Sequence, residues 1–254
     1  MRIRNSLRIG IPLAIGSLVV ITASLSAATI QEKPTYRATG SEGTILGTIS
    51  FAGRPPKPLQ IDTSADPVCG SINPNPTTDW VVVANHKLAN VVVYLRGESL
   101  NMYSFDAPSP DVKIAHKGCR YVPHVLGMQT QQTLNVLNDD PTPHNTHPTP
   151  KNNAEWNQSQ PPGAAALEKR FASPELFIPI KDNQHPWEKA YVGVFSHPFF
   201  AVSGTDGTYK ISGVPPGQYT VVAWHERLGE QTLDVFVAGS EQKYLDFTFK
   251  ASDH

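Results

Sequence analysis

The chain has 254 residues, with 21 basic against 22 acidic side chains and a formal net charge of −1. That balance, with the basic residues scattered, leaves no electrostatic footprint for nucleic acid. Its 23 prolines and 18 glycines, set among short β-branched runs with few long amphipathic helical patterns, point to an all-β protein rich in turns.

The chain opens with a basic head, MRIRNSLR, and an uncharged apolar or small stretch from Ile9 to Ala28. Residues 1–28 read as a secretory signal with small residues suited to cleavage at Ser26, Ala27 and Ala28. The apolar stretch also approaches the length of a spanning helix, so an uncleaved anchor is the alternative. No later stretch could span a membrane, and a periplasmic or secreted protein is expected. Residues 29–42 are polar and read as a disordered linker. Gly43–Phe51 alternates as a strand that AGRPPKP breaks. Trp80–Ala84 and Asn90–Arg96 (NVVVYLR) are the next strands, around a turn at Asn85–Ala89.

In the middle third, Val112–Ala115 reads as a strand, GCRYVPHVLG as an extended segment, and Gln132–Leu137 as a strand ending at Asn138. From Pro141 to Gly163 the composition predicts a long irregular loop. Glu175–Ile180 and Ala190–Phe195 resume strand character. Beyond Ala201, an Asp206-Gly207 pair predicts a tight hairpin and Pro215-Pro216-Gly217 a second turn. Gln231–Val237 and Lys243–Phe249 are the last two strands.

Two cysteines, Cys69 and Cys119, suit a disulfide in an oxidising compartment. It would close a loop of roughly fifty residues, worth about 4 kcal/mol in the chain-entropy model. The rival is two free thiols, one of them a metal ligand. No Gly-x-Ser-x-Gly, His-Glu-x-x-His or phosphate-binding loop occurs, so the expectation is a protein that is not an enzyme.

Several motifs carry a resemblance. AVSGTDGTYKISGVPPGQYTVVAW (Ala201–Trp224) resembles the regulatory-like domain found beside carboxypeptidases, a transthyretin-like sandwich, whose opening strand is matched near Gly47. NDDPTPHNTH (Asn138–His147) resembles the strand end bearing the early histidine of cupredoxins, the small blue-copper β-sandwiches. KDNQHPWEKAY (Lys181–Tyr191) resembles their late ligand loop, Cys-x-x-His-x-x-Met in one secreted group. With ADPVCG, GCRYVPHVLG and AWHERLG, the chain from Gly43 to Phe249 resembles secreted bacterial proteins carrying both modules. The resemblance implies a cupredoxin-like β-sandwich (111–200) embedded in or joined to a regulatory-like β-sandwich (43–110 and 201–250).

It also implies a metal site made from His144 and His185, with Asp182 in the cysteine place and Glu188 in the methionine place. A blue-copper centre needs the thiolate, so electron transfer of that kind is not expected. The substituted set suits a divalent ion such as Cu(II) or Zn(II), or a two-histidine, one-carboxylate iron site. The rival is a vestigial site with no ion. His147 is an alternate ligand and His124 a structural hydrogen bonder. His197 and His225 are expected to satisfy turn backbone, His86 to sit on a polar turn, and His116 on the surface near the disulfide. Trp156 and Trp187, with Tyr191, Phe199 and Phe200, either close the core or stack on sugars. A carbohydrate or a protein partner at the cell surface is the alternative function.

Overall fold

The strand Val92–Arg96 shows how the architecture follows from composition. It is apolar at consecutive positions, and Val91 through Leu95 are all buried. A strand apolar on both faces has to be covered on both. Val93 and Leu95 enter one core with Ile45, Ile49, Phe51, Tyr219, Val221 and Ala223. Val92 and Tyr94 enter another cluster with Val125, Phe195 and Val222. This computed structural model describes residues 32–251, and the basic head and apolar stretch read as a secretory signal lie outside them.

Two β-sandwiches result. In the first, Gly43–Ala52 lies antiparallel to Thr208–Val214 and parallel to Gln242–Tyr244 and Phe247–Lys250. The short pair Lys87–Leu88 and Val83–Ala84 extends this sheet. The facing sheet runs Phe200–Val202, Val92–Arg96, Gly217–His225, Gly229–Val237, all antiparallel. Strands from both ends of the chain therefore share one core.

Strands between them build the second sandwich. One sheet is ordered Leu167–Lys169, Leu134–Asn138, Val112–His116, Tyr121–Val122. The other is ordered Gln158–Gln160, His144–Pro148, Glu175–Lys181, Lys189–Phe195, Val125–Gln129. Ile114, Leu134, Val136, Ile178, Ile180, Val192 and Val194 fill the space between. The sandwiches meet through aromatic contacts, among them Phe177 stacked on Trp224 at 3.5 Å. Among the described residues, no helix is long and apolar enough to cross a membrane.

The structure corrects four expectations. Residues 33–42 are not a disordered linker: Thr35 bridges Ser104, and Tyr36 donates its hydroxyl to Glu42 at 2.6 Å. The 141–163 loop contains two strands, because His144–Pro148 finds partners in Gln158–Gln160 and Glu175–Lys181. The Asp206-Gly207 turn is not a hairpin. The strands it joins belong to opposite sheets, and Gly207 (φ +72°) is needed because a Cβ there would lie 2.5 Å from Ile49 O. The final segment is two strands, broken at Leu245 and Asp246.

Candidate metal centre

Side chains alternate along a strand, and three apolar inward rows of the second core end on a polar residue. The row of Val112–His116 runs through Ile114 to His116, and that of Glu175–Lys181 runs through Ile178 and Ile180 to Asp182. Read backwards, Val194, Val192 and Ala190 lead to Glu188. His144 opens its strand beside them, and the 182–188 loop brings in His185. His116, His144, Asp182 and Glu188 have fully buried side chains, and His185 is nearly so.

The donor atoms converge. His144 Nδ1 lies 3.0 Å from Asp182 Oδ2 and 3.1 Å from Glu188 Oε1. His185 Nδ1 lies 3.2 Å from Asp182 Oδ2 and 3.7 Å from Glu188 Oε1. His116 Nδ1 is 2.9 Å from Glu188 Oε2 and 3.9 Å from Asp182 Oδ2. The rings stack in series, His116 on His144 at 4.3 Å and His144 against His185 at 4.5 Å. Ligands about 2.0–2.2 Å from one ion stand roughly 3 Å apart, which is this spacing.

Each outer ring nitrogen has its own acceptor. His116 Nε2 faces Thr146 Oγ1 at 2.9 Å, His144 Nε2 faces Asp140 Oδ2 at 3.1 Å, and His185 Nε2 faces Asp66 Oδ2 at 3.0 Å. The carboxylates on His144 and His185 fix the proton on Nε2 and turn the Nδ1 lone pair inward, and the Thr146 hydroxyl is able to accept from His116 in the same way. Asp182 is itself anchored, accepting from Gln184 N at 2.7 Å, His185 N at 2.9 Å and Asn145 N at 3.0 Å.

Inward lone pairs and carboxylate oxygens in a dry space need a cation between them, either protons or a metal ion. With protons, burial opposes a charged His144 most strongly, but Asp140, Asp182 and Glu188 together outweigh it and raise the imidazole to about 11. His185 is raised against the same burial by Asp182 and Asp66. Burial pushes Asp182 up, but its hydrogen bonds to His144, His185 and backbone hold it far below the usual carboxylate range. Protons leave one atom unserved. Glu188 Oε1 is buried with no aligned donor, although two Nδ1 atoms are near it. That orphaned oxygen, beside three imidazoles whose outer nitrogens are occupied, fits a metal ion.

His144, Asp182, His185 and Glu188, read from the motifs, are thus brought together. His116 is not on the surface; it is fully buried and donates a third imidazole. His147 stands outside the cluster, held by Asn183 at 3.2 Å and Glu155 at 2.6 Å. Cys69 and Cys119 form a disulfide, with Cα atoms 5.6 Å apart. His124 bonds Glu226, while His197 faces Leu95 O at 3.1 Å and His225 accepts from Arg227 N at 3.1 Å. Trp156 is half-buried against the second core with Lys169 over its ring. Trp187 leans on His185 at 5.1 Å and donates its indole N–H to Cys119 O at 3.2 Å.

No protein-family model and no curated protein matches the chain. Among solved structures it is similar to a copper-containing nitrite reductase from Thermus scotoductus, 16% identical, with 35% of this chain and 23% of that one covered and a TM-score of 0.32. It is also similar to a purple cupredoxin from Nitrosopumilus maritimus, 23% identical, with 33% and 99% covered and a TM-score of 0.29. A mutant amicyanin in its oxidised state is 16% identical, with 35% and 96% covered and a TM-score of 0.30. The chain spans about a quarter of the length of the nitrite reductase.

Proposed function

We propose that this chain is an exported, non-enzymatic protein whose second sandwich holds one divalent metal ion, Zn(II) or Cu(II), on His116, His144, His185, Asp182 and Glu188. One observation carries the reading. His116 and His144 form one buried donor group with Asp182 and Glu188, and His185 Nδ1 lies 3.2 Å from Asp182 Oδ2 beside them. Each Nε2 has a partner outside, a carboxylate for His144 and His185 and the Thr146 hydroxyl for His116. Asp182 and Glu188 with three neutral imidazoles carry a charge of −2, which a divalent ion neutralises, while the outer carboxylates of Asp140 and Asp66 are each held by backbone N–H groups.

Mixed imidazole and carboxylate donors suit Zn(II), Cu(II), Fe(II) or Ni(II) rather than Cu(I). Both cysteines are in the disulfide, so no thiolate is available for a blue site. The bound ion would supply a fixed positive charge joining three chain segments, those of His116, His144 and the 182–188 loop. A role without catalysis is supported by the burial of the donors. The groove of about 910 Å³ between the sandwiches is lined by Tyr94, Arg96, Lys151 and Phe177 among others, and by none of the five. Export is supported by the N-terminal sequence and by the disulfide.

The test is metal content by mass spectrometry after stoichiometric Zn(II) or Cu(II) and exhaustive dialysis. One ion per chain is expected, without the intense visible thiolate band in the copper form, and none in a His144→Ala, His185→Ala double variant. A wild-type protein that retains no ion above background sinks the reading.

A further inference from the structure

Two more groups of donor atoms lie behind the centre. Asp66, Cys69 and His185 form one, and Cys119, Asp140 and His144 the other, each with its ligating atoms within 4.8 Å. The two sulfurs are bonded to each other, so these groups form one frame that the disulfide closes.

Each half of the frame is built alike. On one side Asp66 caps the short helix Pro67–Ile72, its Oδ1 accepting from Val68 N at 2.8 Å and Cys69 N at 3.4 Å. That leaves Oδ2 for Thr142 Oγ1 at 2.7 Å and His185 Nε2 at 3.0 Å. On the other side Gly118 (φ +67°) and Cys119 (φ +53°) turn two successive amides onto Asp140, at 2.7 Å and 2.8 Å. Successive amides in such a turn make a cradle for an anion. The carboxylate so held takes His144 Nε2 at 3.1 Å. Each acid is therefore gripped by the backbone N–H of a cysteine and in turn grips an imidazole. Asn73 Nδ2 to Gly118 O and Trp187 Nε1 to Cys119 O tie the halves further.

The helix belongs to the excursion between Gly43–Ala52 and Val83–Ala84, strands of the first sandwich. The imidazoles belong to the second. Without a covalent tie, non-covalent contacts of this excursion, among them the Arg120–Asp79 ion pair at 3.0 Å, would alone keep Asp66 on His185.

We propose that Asp66 and Asp140 are positioning residues for the metal centre, and that the Cys69–Cys119 disulfide is the brace that holds both on the imidazoles. Metal retention then depends on the oxidised disulfide. This rests on the metal reading above. Outer partners of ligating histidines are typically worth about 10- to 100-fold in affinity, through ring orientation and basicity.

The experiment measures Zn(II) affinity by competition with a chromophoric chelator, and the visible spectrum of the Co(II)-loaded protein, on the full chain. Asp140→Ala is expected to weaken binding by about 10- to 100-fold and shift the Co(II) bands. Asp140→Asn should recover part of the loss, because its amide oxygen still accepts from Nε2–H. Asp66→Asn should behave like it. A Cys69→Ser, Cys119→Ser double variant with an unchanged circular-dichroism spectrum should release zinc faster to excess chelator. If that variant does not fold, the aspartate variants decide, since they keep the disulfide. Unchanged affinity and Co(II) bands in them, with wild type binding one ion, overturn this inference alone. Wild type binding none overturns the metal reading and this inference with it.

Discussion

In the first sandwich the inward row of Gly217–His225 runs Tyr219, Val221, Ala223 and ends on His225; in the second, the row through Ile114 ends on His116, stacked on His144. All three histidines are buried, His116 and His225 at the end of an apolar row and His144 at the start of its strand, yet His225 and His144 are driven in opposite directions. Burial pushes His225 down to about 4; its Nδ1 accepts from Arg227 N, and its Nε2 has no partner. Burial opposes charge on His144 too, and three carboxylates override it, raising that ring to about 11. The neighbours, not the depth, decide which cation a dry sandwich end can hold. A lone imidazole remains a neutral filler, whereas imidazoles facing carboxylates make a cation site.

Breaking the charged end should cost most. Asp182→Asn removes the carboxylate that two imidazoles and three backbone amides share. Uncoupling a buried ionic group of this kind costs about 3–5 kcal/mol. For a chain of this size that is a fall of roughly 6–20 °C in the melting midpoint of the metal-free protein, read by calorimetry. A midpoint within a degree of wild type would mean that the cluster adds nothing to the fold.

Titration sharpens the contrast at intermediate cost. In nitrogen-detected NMR of the metal-free protein, His144 should remain protonated at pH 8 while His225 remains neutral at pH 5.5. The stability effects have opposite signs. His144 is raised from 6.5, so its contribution is complete below about 6.5 and is lost as pH climbs through about 11. His225 is lowered, so the fold is penalised as pH falls from 6.5 towards 4. Asp66 is held at about 2, where its hydrogen bonds to Thr142 and His185 outweigh burial, so its contribution fades as pH falls from 3.8 towards 2. Saturating zinc should displace the His144 Nδ1 proton, and a ring that keeps both protons in zinc would contradict direct ligation.

The smallest effect belongs to the uncharged end. His225→Leu loses one hydrogen bond to Arg227 N but removes an unpartnered buried N–H. Changes of that size stay within about 1.5 kcal/mol. Denaturant unfolding should barely separate the variant from wild type, and a loss comparable to that of Asp182→Asn would erase the distinction between the two ends.

Much of this was legible because local pattern and local structure agree. The double-sided burial of Val92–Leu95 is written in its unbroken apolar run, and the neighbourhood of His144, Asp182, His185 and Glu188 was readable from two short motifs. His116 was missed although the alternation Val112, Ile114, His116 puts it inward; nothing local says that Glu188, 72 positions later, will face it. Asp66 is 119 positions from His185, and its local sequence announces only a helix cap. The strand His144–Pro148 was hidden for a related reason. HNTHP has no apolar alternation, and it is extended because neighbouring strands supply partners for its backbone.

The pairing of Gly43–Ala52 with Phe247–Lys250 sets an order of events during synthesis. An early strand of the first sandwich waits for Phe247–Lys250 to emerge, and pairing across so long a separation carries a loop-closure cost. The second sandwich needs nothing beyond Phe195 for its own sheets. It can therefore form on the nascent chain while the segments around it are still unpartnered. Its histidines and acids, and the frame of Asp66, Cys69, Cys119 and Asp140 behind them, all lie before Phe195, so the centre and its brace can be gathered before the first sandwich closes.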